Sequence, residues 1–345
     1  MSDAHGVPLD VDALEGWLTD RVEVTPPLTA SQISGGRSNL TYRVADADGR
    51  TFVVRRPPLG DLLPGAHDMS REARVMSALA DSAVPVPEVI GYEGDESIIG
   101  GTFYVMRHVD GLILRTTEDG ASIDEAARAT ATRSLASTMA ELHRIDPYEI
   151  GLVKPGRGDN YLARQLHVWK RQMDAQKGRE LPVADAVHDR LTAAIPEQPA
   201  TAIVHGDYRL DNVILDPDGT VAAVLDWELW TAGDPLADLA ITLVYWGDDS
   251  VPDALIGRPT GHPGYGTGAE FVRAYVDAGG IDVPDDVLPY YMAFATWRLA
   301  AILEGVYQRN RAGAYGDADD GWRMFEEKVT DLFDMASGYA DEAGI

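Results

Sequence analysis

Most of the β-prone sequence lies in the first third of the chain, where a single helical pattern interrupts it. Strands are predicted at 28–33, 41–45, 51–55, 88–92 and 102–108, and a helix at about 68–81. The Asp-Gly pair at 48–49, between two β-prone runs, is typical of a hairpin turn. This order predicts an antiparallel sheet with one helix packed on it, not the alternating βαβ pattern of a Rossmann fold.

The rest of the chain is dominated by helical patterns. The residues at 122–125, Ser-Ile-Asp-Glu, form a capping-box pattern, and a long helix is predicted from there to about residue 145. Further helices are predicted at about 160–176, 184–195, 236–246, 269–278, 286–309 and 319–338. One β-like island, at 202–226, interrupts them. The change in character predicts an N-terminal domain at 1–109 and a C-terminal domain at 110–345.

Composition excludes several classes of protein. The 345 residues carry 29 Lys and Arg against 56 Asp and Glu, a formal net charge of −27, which disfavours nucleic-acid partners and anionic membrane surfaces. The absence of cysteine excludes disulfides, thiolate nucleophiles and cysteine-ligated metals. Because we find neither a secretory leader pattern nor an apolar run long enough to span a membrane, we expect a cytoplasmic location.

The β-like island places polar side chains at the ends of apolar runs. Asp207 follows the first run, Asn212 lies where the loop returns to a strand, and Asp226 ends the last run. Since a hairpin joins Asn212 to Asp226, we expect these two side chains to lie side by side. Grouped carboxylate and amide oxygens are costly to bury without a partner, and Mg²⁺ prefers such ligands. Asp207 is then free to accept a proton from a hydroxyl nucleophile.

The string HGDYRLDN at 205–212, followed by DWE at 226–228, resembles the catalytic and metal loops of the aminoglycoside phosphotransferase family, within the protein-kinase-like superfamily. The resemblance implies an α+β fold of two lobes: an N-terminal antiparallel sheet with one main helix, and a mostly helical C-terminal lobe. It assigns Asp207 as the catalytic base and Asn212 and Asp226 as metal ligands. The implied cofactors are ATP, with GTP as an open alternative, and Mg²⁺.

The same resemblance assigns a nucleotide clamp to the N-terminal lobe. Arg55, at the end of a β-prone run, falls where relatives carry the strand cation that pairs with the phosphates, and Glu72 falls where they carry its acidic partner. Protein kinases have Lys at the strand position, but Arg also binds phosphate. Arg56 is adjacent, and alternation along a strand places it on the opposite face. An ordinary ion pair is the alternative interpretation of Arg55 and Glu72.

Two further segments are implied to contact the nucleotide. Ser38 and Asn39, in the loop between the first two predicted strands, would cover the phosphates. The backbone of Arg107 and Val109, at the end of the last predicted strand of the N-terminal lobe, would bond the adenine edge. The covering loop lacks a full G-x-G-x-x-G pattern, so a tight turn is the alternative there.

Several nearby residues are interpreted as structural. His205 and His143 are expected to be satisfied, packed histidines rather than second bases. Asp234 precedes Pro235 and fits a helix N-cap, and Asp238 fits a brace for the catalytic loop.

The strings SGGRSNLTY, FVVRRPP and VHGDYRLDNVILD are most similar to one branch of the family: kinase-like domains fused in some proteins to acyl-CoA dehydrogenases, and their bacterial relatives. The implied function is transfer of the ATP γ-phosphate to a hydroxyl of a small-molecule acceptor. The acceptor stays open among a hydroxylated metabolite such as a hydroxyacyl-CoA, a sugar, a macrolide and an aminoglycoside. Acidic residues spread over the whole chain do not favour the aminoglycoside.

A catalytically silent nucleotide-binding pseudokinase, acting as an interaction module, is the alternative function. The filled catalytic positions argue against it. A basic stretch at 154–179 would suit a CoA ester or a solvated helix face equally well. The sequence does not predict the oligomeric state.

Overall fold

The computed structural model describes residues 9–33, 39–58, 68–176, 178–246, 258–311 and 324–345. The chain forms two compact units, one of residues 1–111 and 222–230 and the other of 112–221 and 231–345. None of the described helices combines the length and the apolar character needed to cross a membrane.

The first unit is built on a five-stranded antiparallel sheet. Its strands are β1 (Thr29–Gln32), β2 (Leu40–Ala45), β3 (Thr51–Arg56), β4 (Val89–Glu93) and β5 (Phe103–Arg107), in the spatial order β1-β2-β3-β5-β4. The predicted hairpin joins β2 to β3, with Gly49 at a φ of 85° that favours glycine. The helix that the sequence predicts after β3 is α2 (Met69–Leu79), and it packs on β4 and β5. The predicted antiparallel sheet with one main helix is therefore confirmed.

A helix that the sequence pattern does not predict covers the other face of this sheet. It is α1 (Val11–Thr19), whose first turn is capped by the Asp10 side chain accepting the N–H of Ala13. Its apolar stripe is buried against β-strand residues such as Phe52 and Phe103, and the ring of Trp17 meets that of Phe103 edge to face at 5.1 Å. The sheet therefore has an apolar core on one face and α2 on the other.

The second unit is mainly helical. Its helices are α3 (Thr117–Ala121), α4 (Glu125–Arg144), α5 (Tyr161–Ala175), α6 (Pro182–Ala193), α7 (Pro235–Tyr245), α8 (Gly268–Asp277), α9 (Leu288–Arg311) and α10 (Met324–Glu342). The predicted capping box was wrong in one detail: Asp124, not Ser122, caps α4 by accepting the N–H of Ala127. Ser122 instead ends α3 and donates its hydroxyl to the carbonyl of Asp119.

The β-like island supplies the remaining strands, β6 (Ala202–Val204), β7 (Val213–Leu215) and β8 (Val221–Val224), and β9 (Thr231–Gly233) follows it. β6 and β9 pair antiparallel within the second unit, with Ala202 opposite Gly233. Short 3₁₀ turns lie at Leu210–Asn212 and Trp227–Leu229, directly beside the polar residues singled out in the sequence.

The start of α7 leads to a pH prediction. Asp234 caps this helix, as predicted, by accepting the N–H of Leu236 at 3.0 Å, and it also accepts the hydroxyl of Tyr291 at 2.8 Å. Burial raises its pKa from 3.8 to about 6, against the effect of these hydrogen bonds. A raised carboxyl pKa stabilises the fold below the unfolded-state value, and this contribution is lost as the pH rises through the folded-state value.

As the pH rises from about 4 to about 6, we therefore expect the ionisation of Asp234 to lower the free energy of unfolding by about 3 kcal/mol. One pKa unit corresponds to about 1.4 kcal/mol. Asp234→Asn should lose this part of the pH dependence, as measured by urea unfolding across that range. Asp285→Asn, at an exposed acid of the same unit, serves as the control. Superimposable pH profiles for Asp234→Asn and the parent would contradict the prediction.

Candidate functional site

One buried acid fixes the backbone of the loop that follows β6. Asp238, on α7, accepts the backbone N–H of His205 at 2.7 Å and that of Gly206 at 2.8 Å. Its carboxylate also lies 3.3 Å from Nε2 of His143, whose Nδ1 lies 2.9 Å from the Tyr275 hydroxyl. The Nδ1 of His205 accepts the N–H of Asp207 at 3.2 Å. These contacts confirm Asp238 as a brace and both histidines as buried, satisfied residues. The loop that carries Asp207 is thus fixed to the helical unit rather than left to move.

The electrostatics of Asp238 agree with this bracing role. Burial alone would raise its pKa, but the hydrogen bond and charge of His143 and the N–H of Gly206 keep its pKa below the ordinary value of 3.8. The side chain therefore stays an anion that accepts several donors. Gly206 has a φ of 83°, a left-handed conformation that costs glycine little and lets the chain turn directly before Asp207.

The structure brings Asp207 and Asn212 together. Nδ2 of Asn212 donates to both the backbone carbonyl and Oδ2 of Asp207, each at 2.8 Å. Asp207 is partly exposed, while Asn212 is buried. The amide thus orients the carboxylate while leaving it open on one side.

Arg209 is a residue of this loop that the sequence analysis missed. Its Nε lies 3.2 Å from Oδ2 of Asp207, its Nη2 lies 3.0 Å from Asp211, and its guanidinium lies 5.0 Å from the ring centre of Tyr245. Burial raises the pKa of Asp211 to about 6, with Arg209 opposing and Asp207 adding to the rise. The available signal was an arginine set between two acids in Asp-Tyr-Arg-Leu-Asp, a spacing at which one cation can neutralise both.

The first unit brings together three residues predicted from separate motifs. Nη1 of Arg55 lies 2.8 Å from Oε2 of Glu72, and Nη2 of Arg55 lies 3.0 Å from Oδ1 of Asp226. Glu72 also accepts the Tyr104 hydroxyl at 3.0 Å and the Asn39 amide at 3.2 Å. Burial raises the pKa of Glu72, and the charge of Arg55 opposes that rise. We call Arg55, Glu72 and Asp226 the clamp cluster.

Strand alternation accounts for which arginine joins this cluster. Arg55 faces α2 and Glu72, whereas Arg56 turns to the opposite face, where its Nη1 donates to the carbonyl of Ile99 at 2.6 Å. The sequence-based choice of Arg55 over Arg56 is consistent with these contacts. Nε of Arg55 is buried and has no hydrogen-bond partner within the described ranges.

Asp226 adopts a backbone conformation that is uncommon for a residue other than glycine. Its φ of 60° and ψ of 61° lie in the left-handed region, which Asp and Asn visit more readily than most residues. The neighbouring Trp227 is buried and donates its Nε1 to the carbonyl of Val224, which holds the turn in place. Strained backbone of this kind occurs at functional sites when surrounding packing enforces it.

The carboxylate of Asp226 is the kind of ligand that Mg²⁺ binds together with the phosphates of a substrate. One oxygen of Asp226 contacts Arg55 while 36% of the side chain stays accessible. In the part of the chain that the structure describes, no three His, Cys, Asp or Glu side chains form a metal site on their own. Mg²⁺ commonly takes one or two protein ligands and completes its shell with phosphate oxygens and water.

The remaining predicted nucleotide contacts are placed as follows. Ser38 lies outside the described residues. Arg107 ends β5 and donates its N–H to the carbonyl of Glu88 at 2.8 Å, and Val109 follows that strand. Asn39 bonds Glu72 of the clamp cluster. The roles of all four in nucleotide binding stay predictions.

Comparison with known proteins shows a consistent family relationship. The sequence pattern of the phosphotransferase enzyme family (APH) matches residues 29–287. Acyl-CoA dehydrogenase family member 10 of Mus musculus is 37% identical over 313 residues, which cover 89% of this chain and 29% of that protein. The chain therefore spans under a third of the length of this relative.

Two solved structures show the same fold. A protein of Ralstonia eutropha JMP134, assigned as an aminoglycoside phosphotransferase, is 31% identical and superposes with a TM-score of 0.81, covering 97% of this chain and 99% of that one. A spectinomycin phosphotransferase, solved with ADP and spectinomycin, is 12% identical with a TM-score of 0.63, covering 97% of this chain and 100% of that one. At that identity the second likeness shows the fold alone.

The predicted α+β, protein-kinase-like fold is thus confirmed, as is the resemblance to the kinase-like part of acyl-CoA dehydrogenase family members. The match to the family pattern covers most of the chain and includes both the clamp cluster and the loop of Asp207. This protein belongs to the APH phosphotransferase enzyme family.

Proposed function

We propose that this protein transfers the γ-phosphate of ATP to a hydroxyl of a small-molecule acceptor. The observation that carries the proposal is the clamp cluster, in which a strand arginine, a helix glutamate and a loop aspartate from three distant motifs meet within 3.0 Å. A cation held between two acids offers a place that phosphate oxygens can share. GTP is the alternative donor.

In this mechanism Asp207 orients the acceptor hydroxyl and takes its proton as the oxygen attacks the γ-phosphorus, while the bond from that phosphorus to the bridging oxygen breaks and ADP leaves. Asn212 and Arg209 hold the Asp207 carboxylate in a single orientation, as their hydrogen bonds of 2.8 and 3.2 Å to Oδ2 indicate. Arg55, positioned by Glu72, binds phosphate oxygens of the nucleotide. Asn212 and Asp226 are the proposed magnesium ligands. When bound, the ion neutralises charge on the transferring phosphoryl group.

We assign the nucleotide contacts to residues 1–109 and the catalytic and acceptor contacts to 110–345. The backbone of Arg107 and Val109 is proposed to bind the adenine edge, and Ser38 and Asn39 the phosphates. For the acceptor we propose a hydroxylated metabolite, with hydroxyacyl-CoA compounds as the first class to test. The likeness to part of acyl-CoA dehydrogenase family member 10 supports this class.

Binding of the nucleotide is testable before the acceptor is known. We expect Mg-ATP or Mg-GTP to raise the melting temperature, because ligand at about 1,000 times its Kd stabilises the native state by about 4 kcal/mol. Chelation of magnesium by EDTA, or Asp226→Asn, should remove most of the stabilisation. Asp81→Asn, at an exposed acid of the same unit, should leave it intact. No stabilisation by either nucleotide in the parent protein would contradict the proposed donor.

A further inference from the structure

Arg298 is a buried cation in the middle of α9, only 5% exposed. Its Nη2 donates to the backbone carbonyl of Gly206 at 3.0 Å, and its guanidinium lies 5.2 Å from the ring centre of Trp169. Its Nε is buried without a hydrogen-bond partner in the described ranges. The side chain therefore contacts the residue directly before Asp207, and its Nε–H donates to none of the described residues.

Four acids among the described residues of this unit are engaged with other partners. Asp207 and Asp211 contact Arg209, Asp238 accepts backbone N–H groups and faces His143, and Asp234 caps α7 and accepts the Tyr291 hydroxyl. Among the described residues, Arg298 makes no ion pair. Burial of a charge without a counter-charge is strongly unfavourable.

A buried ion pair in the same unit provides a comparison for Arg298. Arg179 binds the fully buried Glu304 through Nε and Nη2, the shorter contact being 2.8 Å. That pair is complete within the protein. Within the described ranges, Arg298 has no equivalent carboxylate.

The surroundings of Tyr245 support a shared space beside the catalytic loop. Burial and the negative charge of Asp207 raise the pKa of Tyr245, whereas the charges of Arg209 and Arg298 oppose that rise. The negative charge of Asp211 also raises this pKa, so four charged groups act on one hydroxyl. Arg209 is already paired with two acids, whereas Arg298 has no ion pair among the residues that the structure describes.

We propose that Arg298 binds an anionic group, carboxylate or phosphate, of the acceptor whose hydroxyl meets Asp207. This inference rests on the proposed function and narrows its substrate class to hydroxylated anions. A polycationic acceptor would leave the buried guanidinium unpaired and add repulsion. Arg298 would then fix the acceptor at one end while Asp207 acts at the other.

The test measures anion binding in the absence of nucleotide. Melting temperatures are compared in propionate and in inorganic phosphate, each against chloride at the same ionic strength. We expect both anions, or the one whose chemistry matches the acceptor, to stabilise the parent protein and the Arg144→Gln control, whose site is an exposed ion pair. Arg298→Gln should lose the response while being at least as stable as the parent in chloride.

Two further variants keep the result decisive. Arg55→Gln separates phosphate bound at the clamp cluster from phosphate bound at Arg298. Arg298→Lys keeps the charge but not the planar fork, so we expect an anion response at least threefold smaller than that of the parent even if Arg298→Gln fails to fold. The larger response, to propionate or to phosphate, identifies the acceptor group.

The proposal is overturned if the parent shows no response to either anion, or if Arg298→Gln or Arg298→Lys responds as strongly as the parent. Because no nucleotide is present, this outcome leaves the proposed phosphotransfer untouched. Conversely, an Arg298-dependent anion response without phosphotransfer to any acceptor would reject the proposed function and keep the anion site.

Discussion

Replacement of Asp207 by Asn is expected to lower the rate of phosphotransfer by about 10²–10⁴-fold, the usual contribution of a positioned general base. The amide cannot accept the hydroxyl proton, although it fills the same space and can still bond Asn212 and Arg209. Nucleotide binding should be unchanged, since the proposed binding cation is Arg55. Rates are measured as ADP release with an acceptor, and nucleotide binding by calorimetry.

The matched control for this variant is Asp218→Asn. Asp218 is an exposed acid in the turn after β7, where its side chain accepts the N–H of Thr220 at 2.9 Å. We expect parental rates from it. If Asp207→Asn works as fast as the parent, the assignment of Asp207 as the base is wrong.

Arg55→Met is expected to lower both stability and nucleotide affinity. Removal of one partner of a buried ion pair costs about 3–5 kcal/mol, because the other charge is left uncompensated. Here Glu72, 1% exposed and already raised in pKa by burial, would lose the cation 2.8 Å away. The same variant removes the proposed phosphate-binding group, so the Kd for Mg-ATP should rise by at least tenfold.

A double variant separates the two effects. Arg55→Met combined with Glu72→Met replaces the pair with apolar side chains, and we expect it to recover most of the lost stability in urea unfolding. It should not recover nucleotide affinity. If the Kd for Mg-ATP in Arg55→Met equals that of the parent once folding is complete, Arg55 is a structural ion pair only.

Local sequence patterns explain which parts of the fold and of the site could be predicted. The order of strands along the chain and the hairpin at 48–49 depend on alternation and turn chemistry, which neighbouring residues encode. Alternation placed Arg55 and Arg56 on opposite faces, and the family resemblance favoured Arg55. The cap of α4 was misplaced because Ser122 and Asp124 both fit a capping position. Only the preceding helix, α3, which uses Ser122 for its own end, decides between them.

Two of the contacts that the sequence did not predict join distant residues. Arg298 reaches Gly206 across 92 residues, and Asp226 meets Arg55 across 171. No periodicity encodes such a pairing, since it depends on how the helices and loops of each unit pack. Asn212 was expected beside Asp226, and the contact that the structure shows is with Asp207, five residues away in its own loop.

The most direct test of the account is transfer of labelled phosphate. The protein is incubated with Mg-ATP labelled at the γ-phosphate and a panel of hydroxylated compounds that includes hydroxy acids, hydroxyacyl-CoA esters and aminoglycosides, and products are identified by mass spectrometry. We expect a labelled phosphomonoester of one class, formed in step with ADP and lost in Asp207→Asn. Nucleotide binding without label on any hydroxyl would contradict it and favour a silent interaction module.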